Sequence, residues 1–316
     1  MNGQFVVSID HLECQGHLSH GIEIAPGLRI TDDPRRVKCL GDDAFVLFAG
    51  QLEADCLTNS KFLFYTELIE FPSSDGPAQI ALLLNVVNNF LSFLWLLKEH
   101  TAFFDRGYLF ESNRNLHSNT LLCACYDSNG KRRPVKVSRS ELDNAKLILR
   151  SYTKDIAPDY SIDQERTIYQ GSETLAHKDI DLVGRFLAFV HLARQTIDPA
   201  LRIAFACSAL EVLFSTGTSE LTHRVSERVA FLLGSNGPER LSIYNKVKRL
   251  YGIRSAFLHG DSIKKADQPS LRQRTREADV LLRDVAAKIA MDPVFAKAVR
   301  TGKDELELYH SQLLFR

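Results

Sequence analysis

From Ile80 to Leu97 eighteen residues pass without a single charged side chain, and this run is the first constraint on any fold the chain can adopt. It is long enough to cross a bilayer, but Asn85, Asn88, Asn89 and Ser92 lie inside it, and each would cost free energy in hydrocarbon. On a helix those four recur three or four residues apart and so share one face. The reading that fits is a helix of a soluble protein, with one polar stripe and three sides covered by other elements. No membrane partner is expected.

A chain of 316 residues has room for two ordinary domains or one large one. Lys plus Arg and Asp plus Glu are 39 each, which excludes a strongly basic coat and leaves nucleic-acid binding, if present, to a local patch. Met1-Asn2-Gly3-Gln4-Phe5 lacks a basic leader and long apolar segment, and six Cys are sparse, so a cytoplasmic location is expected.

The fold class expected is α+β, a mixed, β-rich N-terminal domain (1–153) followed by a linker (154–172), an all-α bundle (173–292) and a C-terminal tail (293–316). Gln4 to Ile9, Gly21 to Ile24, Ala44 to Ala49 and Phe62 to Phe71 are β-branched or aromatic runs broken by Gly41, Gly50 and Pro26-Gly27, and read as strands. Phe103 to Phe110 and Thr120 to Tyr126 read the same way, the second closed by Asp127-Ser128-Asn129-Gly130. Ser138-Arg139-Ser140-Glu141 is a capping box. Beyond the linker, Thr174 and Ser219 act as caps, Asp198-Pro199 as cap plus first-turn proline, and Pro238 and Pro269 open further helices. Five helices joined by short connections make a bundle.

The sharpest chemical feature is the stretch Tyr251-Gly252-Ile253-Arg254-Ser255-Ala256-Phe257-Leu258-His259-Gly260-Asp261. Residues five apart lie about 140° apart on a straight helix, so Arg254 and His259 cannot both face one phosphate. Either the helix bends, at Gly252 or Gly260, or a second copy of the chain supplies half of the site. Gly260 is a plausible residue just past a helix end, placing His259 where the dipole favours imidazolium. Residues 239–290 hold twelve Lys or Arg against six Asp or Glu, a net of +6 gathered around this motif. Glu211 sits on a helix so apolar that its carboxylate needs a cation; Arg254 or Arg228 would serve, as a site pair or a structural one, unless Glu211 belongs to a solvent-facing stripe with Ser208 and Ser215.

Two further groupings have blander readings. His11, Cys14, His17 and His20 stand at an even three-residue spacing, which does not converge on a tetrahedral metal site. Cys123 and Cys125 on a strand share one face and read as core. No Gly-rich phosphate loop, nucleophile elbow or paired-carboxylate motif is present.

Arg254-x4-His259 resembles the R-x4-6-H motif of the HEPN superfamily. Its setting is similar to the ApeA-like branch: Ala209-Leu210-Glu211-Val212-Leu213, then His223-Arg224-Val225-Ser226-Glu227-Arg228, then Leu250-Tyr251-x-Ile253-Arg254-Ser255-x3-His259-Gly260. The resemblance covers about residues 175 to 290. It implies a homodimerising helical bundle that cleaves RNA without metal or cofactor, in antiphage defence or toxin systems. It implies that Arg254 stabilises charge on the scissile phosphate and that His259 is acid or base for attack by the 2′-hydroxyl; Glu211, if paired with a site cation as read above, is the further candidate catalytic residue. Active members often carry Asn, Asp or His after the Arg; here Ser255 stands there, with a hydroxyl able to bond phosphate. Lys248, Arg249 and Tyr251, with His223, Arg224 and Arg228 on the preceding helix, are the candidate RNA contacts. The alternative is a catalytically silent HEPN module that binds RNA, a nucleotide or a partner protein. The N-terminal domain is left to sense a trigger ligand or protein.

Overall fold

The computed structural model describes residues 2–18, 20–71, 75–121, 124–153, 182–215, 220–262 and 270–315. The linker, the Thr174, Ser219 and Pro269 signals and Cys123 lie outside these. The protein is α+β and divides into two units, one comprising Met1–Cys125 and Arg132–Gln170, the other Tyr126–Lys131 and Gly171–Arg316.

The first unit is an antiparallel sheet covered on both faces. Its strands are β1 (Asn2–Ser8), β3 (Ile22–Ala25), β4 (Leu28–Thr31), β5 (Leu63–Thr66), β6 (Ile69–Glu70), β7 (Arg106–Glu111) and β8 (Leu116–Thr120); β2 (Leu12–Cys14) and β9 (Val135–Val137) form a small parallel pair apart from it. The order is β3-β4-β5-β1-β7-β8, and β6 continues along β1 beyond β5. Central β1 pairs Val6 with Tyr65 on one side and Tyr108 on the other, and every residue from Gly3 to Val7 is buried. On one face lie α1 (Asp43–Ala49) and α2 (Gln51–Thr58), enclosing Val6, Phe45, Leu57, Tyr65 and Tyr108.

On the other face lies α3 (Gly76–Leu97), the uncharged run, packed against β7, β8 and α4 (Arg139–Thr153). Asn85 and Asn89 are exposed while Leu84, Val87, Phe90, Leu91 and Leu94 are buried, as the polar stripe requires. Gly107 allows the approach, because a Cβ there would stand 2.9 Å from both Leu84 and Phe5. The capping box forms reciprocally: Ser138 N donates to Glu141 Oε2 at 2.7 Å and Glu141 N donates to Ser138 Oγ at 3.3 Å.

Two strand readings are corrected. Ala44 to Ala49 is helix, because Asp42 Oδ1 accepts from Ala44 N and this cap overrides the β-preference of a short apolar run. Of the strand expected at Thr120 to Tyr126, Leu122 and Cys123 lie outside the described residues and Ala124 to Tyr126 are not strand; the strand here is Leu116–Thr120, where half-exposed polar residues pair, among the described residues, with β7 alone.

The second unit is helical: α5 (Leu182–Gln195), α6 (Pro199–Phe214), α7 (Leu221–Leu233), α8 (Gly237–Leu258), α9 (Leu271–Met291), α10 (Pro293–Thr301) and α11 (Lys303–Leu314). Apolar α6 packs against α5, α8 and α9. Its Arg202, 1% exposed, donates through Nη2 to Asp279 Oδ2 of α9 at 2.6 Å and through Nη1 to the carbonyls of Tyr126 and Asp127 at 2.9 and 3.1 Å. The 126–131 turn thereby belongs to the helical unit rather than to the sheet.

The C-terminal stretch read as a tail is two helices. Asp292 caps α10 through Val294 N and Phe295 N, and Arg228 of α7 holds α11 by donating from Nη2 to both oxygens of Glu307 at 2.7 Å. His310 of α11 is 1% exposed with Nε2 3.1 Å from the Leu213 carbonyl, and burial, outweighing that hydrogen bond, lowers its pKa to about 4. His191 of α5 is lowered to about 4 by burial and the neighbouring Arg194 charge.

Two stability predictions follow from these groups. Asp279→Ala leaves the Arg202 guanidinium buried and uncompensated, and urea unfolding should show a loss of about 3–5 kcal/mol, much of it regained in Arg202→Met/Asp279→Leu. His191 and His310 are neutral when folded and take up protons on unfolding below their ordinary pKa of 6.5. Their contribution is present above that pH and is lost as pH falls toward about 4, at about 1.4 kcal/mol per pH unit for each. Unfolding free energies measured between those limits should flatten when either imidazole is replaced by Gln.

Candidate functional site

The motif lies on α8, whose start is fixed by Asn236 Oδ1 accepting from Glu239 N at 3.0 Å, with Pro238 in the first turn. The helix runs unbroken through Gly252 over all 22 residues. The C-terminus closes as the sequence suggests. Gly260 takes φ +75°, Asp261 N donates to the Ala256 carbonyl at 2.8 Å, and Gly260 N donates to the Phe257 carbonyl at 3.3 Å.

An unbroken helix keeps the divergence of Arg254 and His259. Val247, Leu250, Tyr251 and Ile253 are buried, and Arg254 falls on that inward side. There it meets α6: its Nη2 stands 3.2 Å from Glu211 Oε1 and 3.4 Å from Oε2, the second with hydrogen-bond geometry. The carboxylate that needed a cation has Arg254, while Arg228 is engaged by Glu307. Both side chains are about three-quarters buried, at 25% and 22% exposure. Burial raises the Glu211 pKa, and the Arg254 charge and Tyr251 hydroxyl oppose that rise. Tyr251 completes the cluster, its hydroxyl donating to the Cys207 carbonyl at 3.3 Å and its ring 5.8 Å from the guanidinium carbon. Burial pushes both the Tyr251 phenol and the Cys207 thiol well up, so both stay protonated.

His259 occupies the cap position and is exposed, as are Ser255 and Leu258 before it. Among the described residues its ring has no hydrogen bond or ion pair. The structure brings Arg254, Glu211 and Tyr251 together and leaves His259 apart from them. Lys248 and Arg249 are exposed on α8. His223 of α7, also exposed, packs edge-on against Tyr244 at 5.7 Å, and Lys248 Nζ is 5.8 Å from the same ring. Arg224 is half-buried. Arg228 is turned inside, with Nη1 donating to the Phe214 carbonyl at 3.0 Å, and its charge serves the packing of α7 against α11. Tyr244 is a neighbour of these residues that the motif does not single out. A helical projection finds it, since Tyr244, Lys248, Tyr251 and Ser255 fall within about 60° of arc.

The evenly spaced His and Cys residues serve separate ends. His11 packs on Phe103 at 5.2 Å, and His17 Nδ1 lies 3.1 Å from Asp32 Oδ2. Burial raises the Cys14 thiol to about 12. Among the described residues no three His, Cys, Asp or Glu side chains are placed to hold a metal ion.

No protein-family model matches the chain, and neither a curated protein nor a solved structure is significantly similar to it.

The Arg254–Glu211 pair, about three-quarters buried, sets the stability expectation. Arg254→Ala strands the Glu211 carboxylate and should destabilise the bundle by about 1–3 kcal/mol in urea unfolding, more than Glu211→Gln does. The double substitution should cost less than the sum of the two.

Proposed function

We propose that the protein is a metal-independent endoribonuclease of the HEPN type, acting in antiphage defence or as a toxin, whose cleavage site is assembled from two copies of the chain. The observation that carries this reading is the division of labour on α8: an Arg254 backed by a carboxylate on the inward side, and an exposed His259 at the C-terminal cap. Phe257 and Leu258, 36% and 55% exposed beside the motif, are apolar surface that a twofold partner would cover.

The chemistry needs few groups. The 2′-hydroxyl attacks the adjacent phosphorus, the P–O5′ bond breaks, and the products are a 2′,3′-cyclic phosphate and a 5′-hydroxyl. His259 of one copy takes the proton from the attacking hydroxyl or gives one to the leaving oxygen. Arg254 faces the charge developing on the nonbridging oxygens, and Glu211 positions it. The Ser255 hydroxyl donates to the same phosphate, and exposed Lys248 and Arg249 hold flanking backbone. The nucleophile is part of the substrate, so no water has to be activated.

A silent binding module is the second reading, favoured by one observation: Arg254 is already engaged by Glu211, and a guanidinium kept in that pair would not reach a phosphate.

Digestion of mixed tRNA and mRNA separates the two. Cleavage should survive chelator, leave cyclic phosphate ends and disappear in His259→Ala, whereas Arg254→Lys should lower turnover far more than RNA affinity, because the planar fork matters most in the transition state. Mixing Arg254→Ala with His259→Ala chains should restore part of the activity. Loss of cleavage in chelator, or a strict monomer by light scattering, overturns the proposal; RNA binding without cleavage establishes the silent module.

A further inference from the structure

The uncharged helix α3 is not covered equally on all its apolar positions. Gln79, Leu82, Leu83 and Val86 stand at i, i+3, i+4 and i+7, so they share one face. The last three are only half-buried, while Leu84, Val87 and Leu91 are buried. All four line a cavity of about 120 Å³ in the sheet unit, together with Leu28 of β4, Ile69 of β6 and Phe71 just after it.

An apolar hollow alone would be a packing defect. Gln79 makes it more. The residue is 4% exposed and its backbone N donates to the Asp75 carbonyl at 3.1 Å, as the first turn of α3 requires. Its side-chain Nε2, by contrast, is buried with no hydrogen-bond partner among the described residues. Helical spacing aims this side chain at the same space as Leu82, Leu83 and Val86. A buried amide without a partner costs free energy that an apolar side chain of the same size would not, and an acceptor brought into the cavity removes that cost. Water is a poor remedy, because a buried water needs two or more polar partners and, among the described lining side chains, only Gln79 and the exposed Glu70 are polar.

Size and lining specify the occupant. A dry cavity of about 150 Å³ lined by Leu, Ile and Phe is enough for a benzene ring, so a space of this volume takes one ring and little else. The single N–H donor asks for one accepting oxygen on that ring. Glu70, the one charged residue among the described lining, repels an anion, so the oxygen belongs to a neutral group rather than to a carboxylate.

We propose that this cavity binds a small neutral monocyclic aromatic molecule, its ring against Leu28, Ile69, Leu82 and Val86 and one oxygen accepting a hydrogen bond from Gln79 Nε2. The site is independent of the ribonuclease reading, and its test contains no RNA.

Methyl NMR of the full chain titrated with benzyl alcohol should show saturable shifts at Leu28, Ile69, Leu82, Leu83 and Val86 that fit one molecule per chain. Toluene supplies the same ring without the oxygen, and benzoate the same ring with a negative charge. Gln79→Leu, which puts an apolar group of similar size in place of the unpaired amide, should weaken benzyl alcohol by about tenfold relative to toluene. Benzoate should bind far more weakly than benzyl alcohol. Val86→Phe fills the space from a half-buried position and should abolish binding of both neutral ligands, whereas Asn85→Phe, which adds the same ring at an exposed position of α3, should change nothing. Absence of saturable shifts, an unchanged preference between benzyl alcohol and toluene in Gln79→Leu, equal binding of benzoate, or binding that persists in Val86→Phe would overturn the site.

Discussion

The ion pair between Arg202 and Asp279 is the contact on which the helical unit depends. Two charges at 1% exposure are tolerable only if nearly every donor and lone pair is used, since desolvation costs several kcal/mol per ion. Arg202 meets that demand with two nitrogens on the carboxylate and a third on two backbone carbonyls, and so fixes α6, α9 and the 126–131 turn in one arrangement. Glu211 lies nine residues further along α6, about 14 Å at helical rise. The level at which it meets α8 therefore follows from where Arg202 pins its own helix.

The same accounting revises the charge patch. Of the twelve basic residues between 239 and 290, Arg254 is held by Glu211, Arg274 by Glu277 at 2.7 Å, Arg240 stacks on Phe231 at 4.4 Å, and Arg276 donates to Asn129 at 3.1 Å. Among the acids, Asp279 is spent on Arg202. Net charge over a window measures what the chain carries, whereas capture of RNA depends on what it exposes. Among the described residues Lys248 and Arg249 are exposed close to the motif, and any RNA contact they make, on the proposed reading, is a short and salt-dependent footprint.

Much of this was legible in the sequence because the signals are local. The polar stripe of Asn85 and Asn89, the Ser138 to Glu141 box, the Asp198-Pro199 start and the Gly260 stop each depend on side chains within one or two turns. The errors lie where context decides. Ala44 to Ala49 is too short for its apolar content to choose between helix and strand, and a capping Asp42 settled it. The α10 start at Asp292-Pro293 repeats the Asp198-Pro199 signal and could have been read by the same rule. Within the site, the Glu211 to Arg254 pairing was one of two candidates that burial alone left open; only the packing of α7 against α11, which takes Arg228, decides between them.

The fate of His259 follows from helical geometry. A cap of the Schellman type needs the residue before the glycine to close the last turn, and that residue's backbone then donates to Ser255 at 3.0 Å while its side chain leaves the bundle. Gly252 could have supplied a kink, but among the described residues nothing lies within 4 Å of where its Cβ would stand to stabilise one. The inward arc of α8 is meanwhile filled by Val247, Leu250, Tyr251 and Ile253, which holds Arg254 against α6. A chain with these contacts cannot turn Arg254 and His259 to one point without losing either its cap or its core, so convergence, where it occurs, has to come from a second α8.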